Sequence, residues 1–460
     1  MTQLRYVDWF RAAAPYIHAH RGRTFVVHLS GESLNAASNA GICTDLALLR
    51  SLGVRLVLVH GARPQIDQAL AANGLQPRYA QGLRITDAAA MQAVKEAVGA
   101  THVELEARLS MGVANSPMAG AHLEVVSGNV VTARPLGIRD GIDFQFTGAV
   151  RRVDRAAVER HLATGAVVLV SPIGYSPTGE AFNLFSEDLA AALAIEMHAA
   201  KLLYVAPGAS LNDVEGNAVR ELSLADAREL LKALRHAEGV EPSLALLEQA
   251  VHACLHGVER VQIVDADIDG ALLLELYTRD GLGGMVSAAP YDRVRRAKLE
   301  DVGGILELIE PLERAGSLVR RSREKLENDI ENFLVVERDG TAIACAALYP
   351  FIEDRLVELA CLAVHDEYRN RGCGDLLFAT AIDEARALGA ERLFVLSTQA
   401  THWFKERGFH DTTLDELPVA RQRLYNYQRG SKVLICPVTA GPPPSRPGSR
   451  SSTHPRNDRY

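Results

Sequence analysis

The residues best suited to chemistry lie together in the run Glu358-Leu-Ala-Cys-Leu-Ala-Val-His-Asp-Glu-Tyr-Arg-Asn-Arg-Gly-Cys-Gly-Asp-Leu-Leu-Phe. A carboxylate opens it. The apolar stretch Leu359 to Val364 reads as a buried strand, a polar turn carries Gly372 and Gly374, and a helical period starts at Asp375. Strand alternation places residues 358, 360, 362 and 364 on one face, with Glu358 over a cleft and Leu359, Cys361 and Ala363 toward the core. Glycines at such a junction let a ligand approach the backbone, and the unpaired N–H groups and dipole of the new helix favour an anion. A phosphate-bearing cofactor is the natural occupant. The cysteines of the run, Cys361 and Cys373, have no basic partner near in sequence and read as small apolar residues.

The spacing of Arg369, Gly372 and Gly374 resembles the pyrophosphate-binding turn of the GNAT acetyltransferases. Two further segments extend the resemblance: a strand, Arg392-Leu-Phe-Val-Leu-Ser397, and the close His402-Trp-Phe-Lys-Glu-Arg-Gly-Phe409. It implies acetyl-CoA held by Arg369, Arg371, Gly372 and Gly374 and along Cys361, Leu362 and Val364, where backbone N–H groups would receive the thioester carbonyl. The Tyr that many acetyltransferases carry in that close is here Phe404, so the usual proton donor is absent.

The rest of the chain sets limits on partners. At 460 residues, two or three domains are expected, and 48% hydrophobic with 23% charged residues is an ordinary globular composition. A formal charge of -8 argues against nucleic acid as main partner, though local arginine pockets can still take small anions. Six scattered cysteines without Cys-x-x-Cys indicate neither a disulfide framework nor a zinc site; no metal is expected, and the usage suits a reducing cytoplasm. The polar N-terminus and the lack of a long apolar run predict a protein neither secreted nor held in a membrane.

In chain order, an amphipathic helix is predicted from about Tyr6 to Ile17, with Trp9, Phe10 and Ala13 near one face and Pro15 bending or ending it. Strands at 24–31, 55–61, 166–170, 201–205 and 260–264 alternate with helices, which predicts a doubly wound parallel α/β sheet. Much of residues 20–288 resembles the amino acid kinase fold, through His60-Gly-Ala-Arg-Pro-Gln-Ile, Gly82-Leu-Arg-Ile-Thr-Asp87 and Asn183. The departures matter more. His28 replaces the family's phosphate-binding lysine, Ala62 and Arg63 replace glycines, and Pro207 replaces an aspartate. Phosphoryl transfer depends on such groups, so a kinase fold without its chemistry is expected.

The expected layout is therefore α/β throughout: a kinase-like parallel-sheet sandwich over 1–288, a GNAT α/β domain over 289–436, and a Pro/Ser/Arg-rich disordered tail over 437–460. That combination resembles the bacterial N-acetylglutamate synthases. It implies acetyl transfer from acetyl-CoA to L-glutamate, the first step of arginine biosynthesis. For that reaction Glu358 is the candidate general base and Ser397 the candidate acid, with Tyr425 and Tyr427 as alternatives. Arg320, Arg421 and Arg429, helped by Ser431, are the candidates for the substrate carboxylates; Arg321 and Arg323 read as solvated charges. Arginine-sensitive relatives bind L-arginine between an N-terminal helix and a glycine loop, and assemble into hexamers. Tyr16, Glu275, Gly281 and Gly283 occupy the matching positions, which implies a homo-hexamer inhibited by L-arginine. The alternative is a GNAT enzyme acting on another amine, with the kinase-like half as sensor or scaffold.

Overall fold

The computed structural model describes residues 3–35, 39–112, 118–235, 241–278, 281–288, 292–338, 340–369, 372–427 and 430–438. They fall into two compact units, Met1–Tyr291 and Asp292–Tyr460.

In the first unit, helix α1 (Gln3–His20) precedes a sheet of eight strands: β1 (Thr24–Leu29), β2 (Arg55–His60), β3 (Val125–Val126), β4 (Val167–Val170), β5 (Lys201–Ala206), β6 (Glu221–Ser223), β7 (Arg260–Asp265) and β8 (Gly284–Ser287). Their spatial order is β6-β8-β7-β5-β1-β2-β4-β3, parallel except for the β7–β8 pair. The central strands are unbroken apolar runs because both faces are covered. Phe25, Val27 and Leu29 pack with Cys43, Leu46 and Leu49 of helix α2 (Asn39–Ser51), whereas Val26 packs with Leu189 and Leu193 of α3 (Ser186–Glu196) and with Leu247 and Val251 of α4 (Glu241–Leu255).

Two expectations need correction here. Pro15 neither ends nor interrupts α1, which continues to His20; a proline's fixed φ is helical, and the cost is one backbone hydrogen bond. The face toward the core is Ala13, Tyr16, Ile17 and His20, at helical spacing, whereas Trp9 and Phe10 are exposed.

In the second unit, strands β9 (Arg293–Arg296), β10 (Phe333–Arg338), β11 (Thr341–Phe351), β12 (Leu356–Val364), β13 (Arg392–Ser397), β14 (His410–Thr412) and β15 (Lys432–Pro437) form one sheet, ordered β9-β10-β11-β12-β13-β15-β14. Helix α6 (Val302–Arg314) follows the short α5 (Ala271–Tyr277) of the first unit in sequence. It presents Val302, Ile305, Leu308 and Ile309 to one face of the sheet, near α7 (Arg323–Asp329); α8 (Cys373–Ala387) covers the other with Leu377, Phe378, Ala381 and Ile382. The last strand runs past the expected boundary: Pro437 ends β15 and Val438 is buried, its N–H bonded to the Glu391 carbonyl. Residues 439–460 lie outside the described residues.

The middle of this sheet is irregular at β12. Against β11, Cys345 pairs with Ala363 but Ala347 with Ala360, so Cys361 and Leu362 together oppose Ala346. This is a β-bulge, and Cys361 takes the left-handed φ of 52°. The extra residue inverts the faces. Leu359 lies with Leu362 and Val364 on the α8 side, while Ala360, Cys361 and Ala363 lie on the α6 side. The uninterrupted alternation expected from sequence fails at this one residue, because a bulge leaves no mark in an apolar run.

A β-branched side chain suits a positive φ poorly. Cys361→Val is predicted to lower the stability of this unit by about 1–2 kcal/mol, measured as a shift of its calorimetric transition.

Candidate active site

The sheet opens into a fork at Glu358. β12 and β13 pair in parallel only over Leu356↔Arg392, Val357↔Leu393 and Glu358↔Phe394; beyond that β12 runs on to Val364 with β11 while β13 runs on to Ser397 with β15. Past Glu358 the edge of β12 that faced β13 has no partner strand among the described residues, the arrangement needed for backbone donors to meet a ligand. Ser397 stands at the end of the other arm, roughly 10 Å along its strand from the fork at 3.3 Å per residue.

Glu358 is buried, and its carboxylate is gripped in fork geometry by Arg421: Nε donates to Oε2 at 2.7 Å and Nη2 to Oε1 at 2.9 Å. The base expected over a cleft is thus paired within the sheet. A guanidinium matched to both carboxylate oxygens is what permits this charge to lie inside the sheet. The same pair engages Arg421, one of the arginines expected at the substrate carboxylates. Ser397 Oγ accepts the Ala400 N–H at 3.0 Å, a bond that uses a lone pair and leaves the hydroxyl proton available to donate. The Tyr425 hydroxyl instead donates to the Ser431 carbonyl at 2.5 Å, and Tyr427 is exposed, so neither offers a proton at the fork. Ser431 is buried one residue before Lys432, the β15 residue opposite Ser397.

At the far end of β12, Gly372 caps α8 with φ 87°, and the first N–H groups of this helix have no intrahelical partner. Arg369 is exposed and pairs with Asp366 at 2.7 Å. Gly374 has a packing explanation that the sequence did not reveal, since a Cβ there would meet the Trp403 ring at 3.0 Å. Cys373 is buried, and burial pushes its thiol up to about 11, which suits a packing residue. Phe404 is in the core. Arg371 and Arg429 lie outside the described residues.

Of the two adjacent arginines, the one expected to be a solvated charge is the more buried. Arg320 is exposed, whereas the Arg321 guanidinium lies over the rings of Phe333 and Tyr349 and donates to the Tyr349 hydroxyl at 2.9 Å. Tyr349 in turn donates to Asp329 at 3.1 Å, and burial pushes its hydroxyl up to about 12. Tyr349 is the cross-strand partner of Glu358. Ser322, the next residue, caps α7 by accepting the Lys325 N–H.

In the first unit, His28 is the next-to-last residue of β1 and His60 the last of β2. Burial lowers the pKa of His28 against the pull of Glu187 and Glu32, and brings His60 down to about 4, so both imidazoles are neutral. Each bonds a serine, His28 to Ser186 and His60 to Ser171, both at 2.9 Å. Nearby a cavity of about 90 Å³ is lined by Gly31, Ala62, Arg63, Arg84 and Glu187 among others, well below the ~300–1,000 Å³ of ordinary ligand pockets. Of the residues expected around arginine, Tyr16 packs on α1 beside His20, whose ring bonds the Leu276 carbonyl of α5. Glu275 does not present a bare carboxylate. Its Oε2 accepts from Leu282 and Gly283 at 2.7 and 2.8 Å and its Oε1 from Gln262 at 2.7 Å, because the glycine turn aims its N–H groups inward. Gly281, with φ 57°, and Gly283 fit closely: a Cβ on Gly281 would meet Glu275 Oε2 at 2.5 Å, and one on Gly283 the Ile263 carbonyl at 2.1 Å.

Fold and fork together define a kinase-fold unit joined to an acetyltransferase, and comparison agrees: residues 23–265 match the amino acid kinase family and residues 304–409 the acetyltransferase (GNAT) family. The amino-acid acetyltransferase of Pseudomonas putida is 53% identical over 433 residues, 94% of this chain and 99% of that protein. That of Azotobacter vinelandii is 53% identical over 429 residues, 93% and 98% of the two chains. N-acetylglutamate synthase from Neisseria gonorrhoeae, crystallised with coenzyme A and L-arginine, superposes with a TM-score of 0.84 at 39% identity, covering 94% of this chain and 99% of that one. The same enzyme with coenzyme A and N-acetyl-glutamate gives a TM-score of 0.60. The chain belongs to the amino-acid acetyltransferase family, the N-acetylglutamate synthases.

Removing Arg421 alone strands a buried carboxylate. Arg421→Ala is expected to destabilise the second unit by about 3–5 kcal/mol, and adding Glu358→Gln to restore most of that, measured by denaturant unfolding of the two single variants and the double variant.

Proposed function

We propose that the second unit transfers the acetyl group of acetyl-CoA to the α-amino group of L-glutamate, giving N-acetyl-L-glutamate and CoA, the first step of arginine biosynthesis. The observation that carries this reading is the parting of β12 from β13 at Glu358. In the open arm, backbone N–H groups around Cys361 and Leu362 receive the thioester carbonyl and stabilise the oxyanion that forms on it. The pyrophosphate of CoA lies on the N-terminus of α8 at Gly372 and Gly374, with Arg369 and Arg371 beside it. Val364 backs the pantetheine arm.

L-Glutamate arrives as an ammonium and must lose a proton before its nitrogen attacks. Glu358 takes that proton, directly or through a water. Arg421, Arg429, Arg320 and Ser431 hold the carboxylates. A substrate carboxylate arriving at Arg421 competes with Glu358 for the guanidinium, so substrate binding and release of the base are one event. Collapse of the tetrahedral intermediate expels the CoA thiolate, which takes the Ser397 hydroxyl proton.

The first unit is proposed as a silent kinase fold that binds L-arginine between α1 and the 281–284 loop, with Tyr16, Glu275, Gly281 and Gly283, and lowers synthase activity. A neutral His28 supplies none of the charge that phosphoryl transfer draws from a lysine. Val7, Trp9 and Phe10, exposed on α1, supply apolar surface for assembly into a homo-hexamer. The proposed setting is the cytoplasm; no described helix is long and apolar enough to cross a membrane.

Thiol release from acetyl-CoA, followed with L-glutamate alone and with added L-arginine, tests this reading. CoA formation that requires glutamate and declines with arginine is expected, with no ADP formed from ATP and N-acetylglutamate. Thiol release with another amine but not glutamate, or ADP formation, contradicts it.

A further inference from the structure

The turn between β12 and α8 has two stems, Tyr368-Arg369 before it and Gly372-Cys373 after it, and both rest on one residue distant in the chain. Asp292 directly precedes β9. The antiparallel register Arg293↔Glu337, carried one step further, sets it opposite Arg338, the last residue of β10. Arg338 Nε donates to Asp292 Oδ1 at 2.7 Å, with the arginine side chain 7% exposed and the aspartate 20%. From this pair two contacts lead to the turn. The Arg338 guanidinium lies over the Tyr368 ring, 4.9 Å from its centroid, and Tyr368 is wholly buried. On the other side the Cys373 thiol donates to Asp292 Oδ2 at 3.8 Å. Burial first, then the Asp292 carboxylate, pushes that thiol up to about 11, so it keeps the proton it donates.

A largely buried ion pair contributes little net stability, because desolvation offsets the attraction between its charges. What it can supply is position, and the turn is where position matters. Arg369 follows Tyr368 directly, Gly372 caps α8 and Cys373 is the first residue of that helix. An anion received by the first N–H groups of a helix and by an arginine beside them meets donors whose directions are set by those stems. Affinity is gained when such groups are ordered before the ligand arrives.

We propose that Asp292 and Arg338 are positioning residues for acetyl-CoA: their ion pair braces both stems of the 369–374 turn and so sets its affinity for the pyrophosphate. This rests on the placement of the pyrophosphate at the N-terminus of α8. One arm of the brace runs through Arg338 to Tyr368, the other from Asp292 to Cys373.

Kinetics with two acyl donors tests it: acetyl-CoA, and S-acetyl-N-acetylcysteamine, a truncated thioester without the pyrophosphate. Asp292→Asn alone leaves a bare positive charge near an anion site. The double variant Asp292→Asn/Arg338→Gln leaves the net charge unchanged and reports the brace itself. It is compared with wild type, Asp292→Glu and Cys373→Ala, with unfolding temperatures for each. Loss of a charge-assisted bond predicts a roughly 10- to 100-fold rise in KM for acetyl-CoA in the double variant. The truncated donor cannot reach the turn, so the ratio of kcat/KM for acetyl-CoA to that for the truncated donor should fall by the same factor. Asp292→Glu should recover part of it, and Cys373→Ala, which frees one stem, should lower the ratio roughly twofold. A folded double variant that keeps the wild-type ratio, or that loses both donors equally, refutes the brace. If the double variant does not fold, wild-type ratios in both Asp292→Glu and Cys373→Ala refute it. If wild type does not prefer acetyl-CoA to the truncated donor, the placement of the pyrophosphate fails and the brace falls with it.

Discussion

The ion pair of Glu358 with Arg421 is the contact on which the acetyltransferase unit turns. A carboxylate almost wholly buried in a sheet is unfavourable unless its charge is matched, and here both oxygens meet both arms of one guanidinium. The pair stands where β12 and β13 cease to hydrogen-bond, so it closes the root of the fork. The bulge at Cys361 then turns the open arm of β12 over, which sends Leu362 and Val364 toward α8 and puts Cys361 on the α6 side with Tyr349. Strand, bulge and ion pair together leave one edge of β12 open beyond a charge pair buried at its root.

Much of this was legible in the sequence because it rests on local rules. The apolar run before Gly372 and the helical period after Gly374 predict strand, turn and helix, and each occurs. The apolar runs of the first unit predict a parallel sheet covered on both faces, as found. What escaped depends on contacts far apart in the chain. A bulge is set by the partner strand, so nothing in Leu-Ala-Cys-Leu-Ala-Val announces Cys361. Arg421 lies 63 residues from Glu358, and spacing gives no hint that the two carry each other's charge. Arg320 and Arg321 are adjacent and chemically identical; only the turn into α7 decides which meets the aromatic rings. The motif around Gly374 points to a ligand, and nothing in it reveals the neighbouring Trp403 ring that also explains a glycine there.

The kinase-like unit keeps the scaffold of its family while departing from it at the strand ends. Its sheet and helices are intact, while the strand ends that would carry phosphate chemistry hold neutral, serine-bonded histidines and a small cavity crowded by Ala62 and Arg63. Glu275 gathers the N–H groups of Leu282 and Gly283, so the loop proposed to meet arginine is held by one carboxylate. A ligand that draws on that carboxylate also acts on the loop.

The most direct test of the central claim is the pH dependence of kcat/KM for L-glutamate in wild type and in Glu358→Gln, whose amide keeps the shape of the side chain and cannot accept the proton. If Glu358 is the base, the variant should lose roughly 10²- to 10⁴-fold in rate at every pH measured. A folded Glu358→Gln enzyme that keeps the wild-type rate would contradict the account.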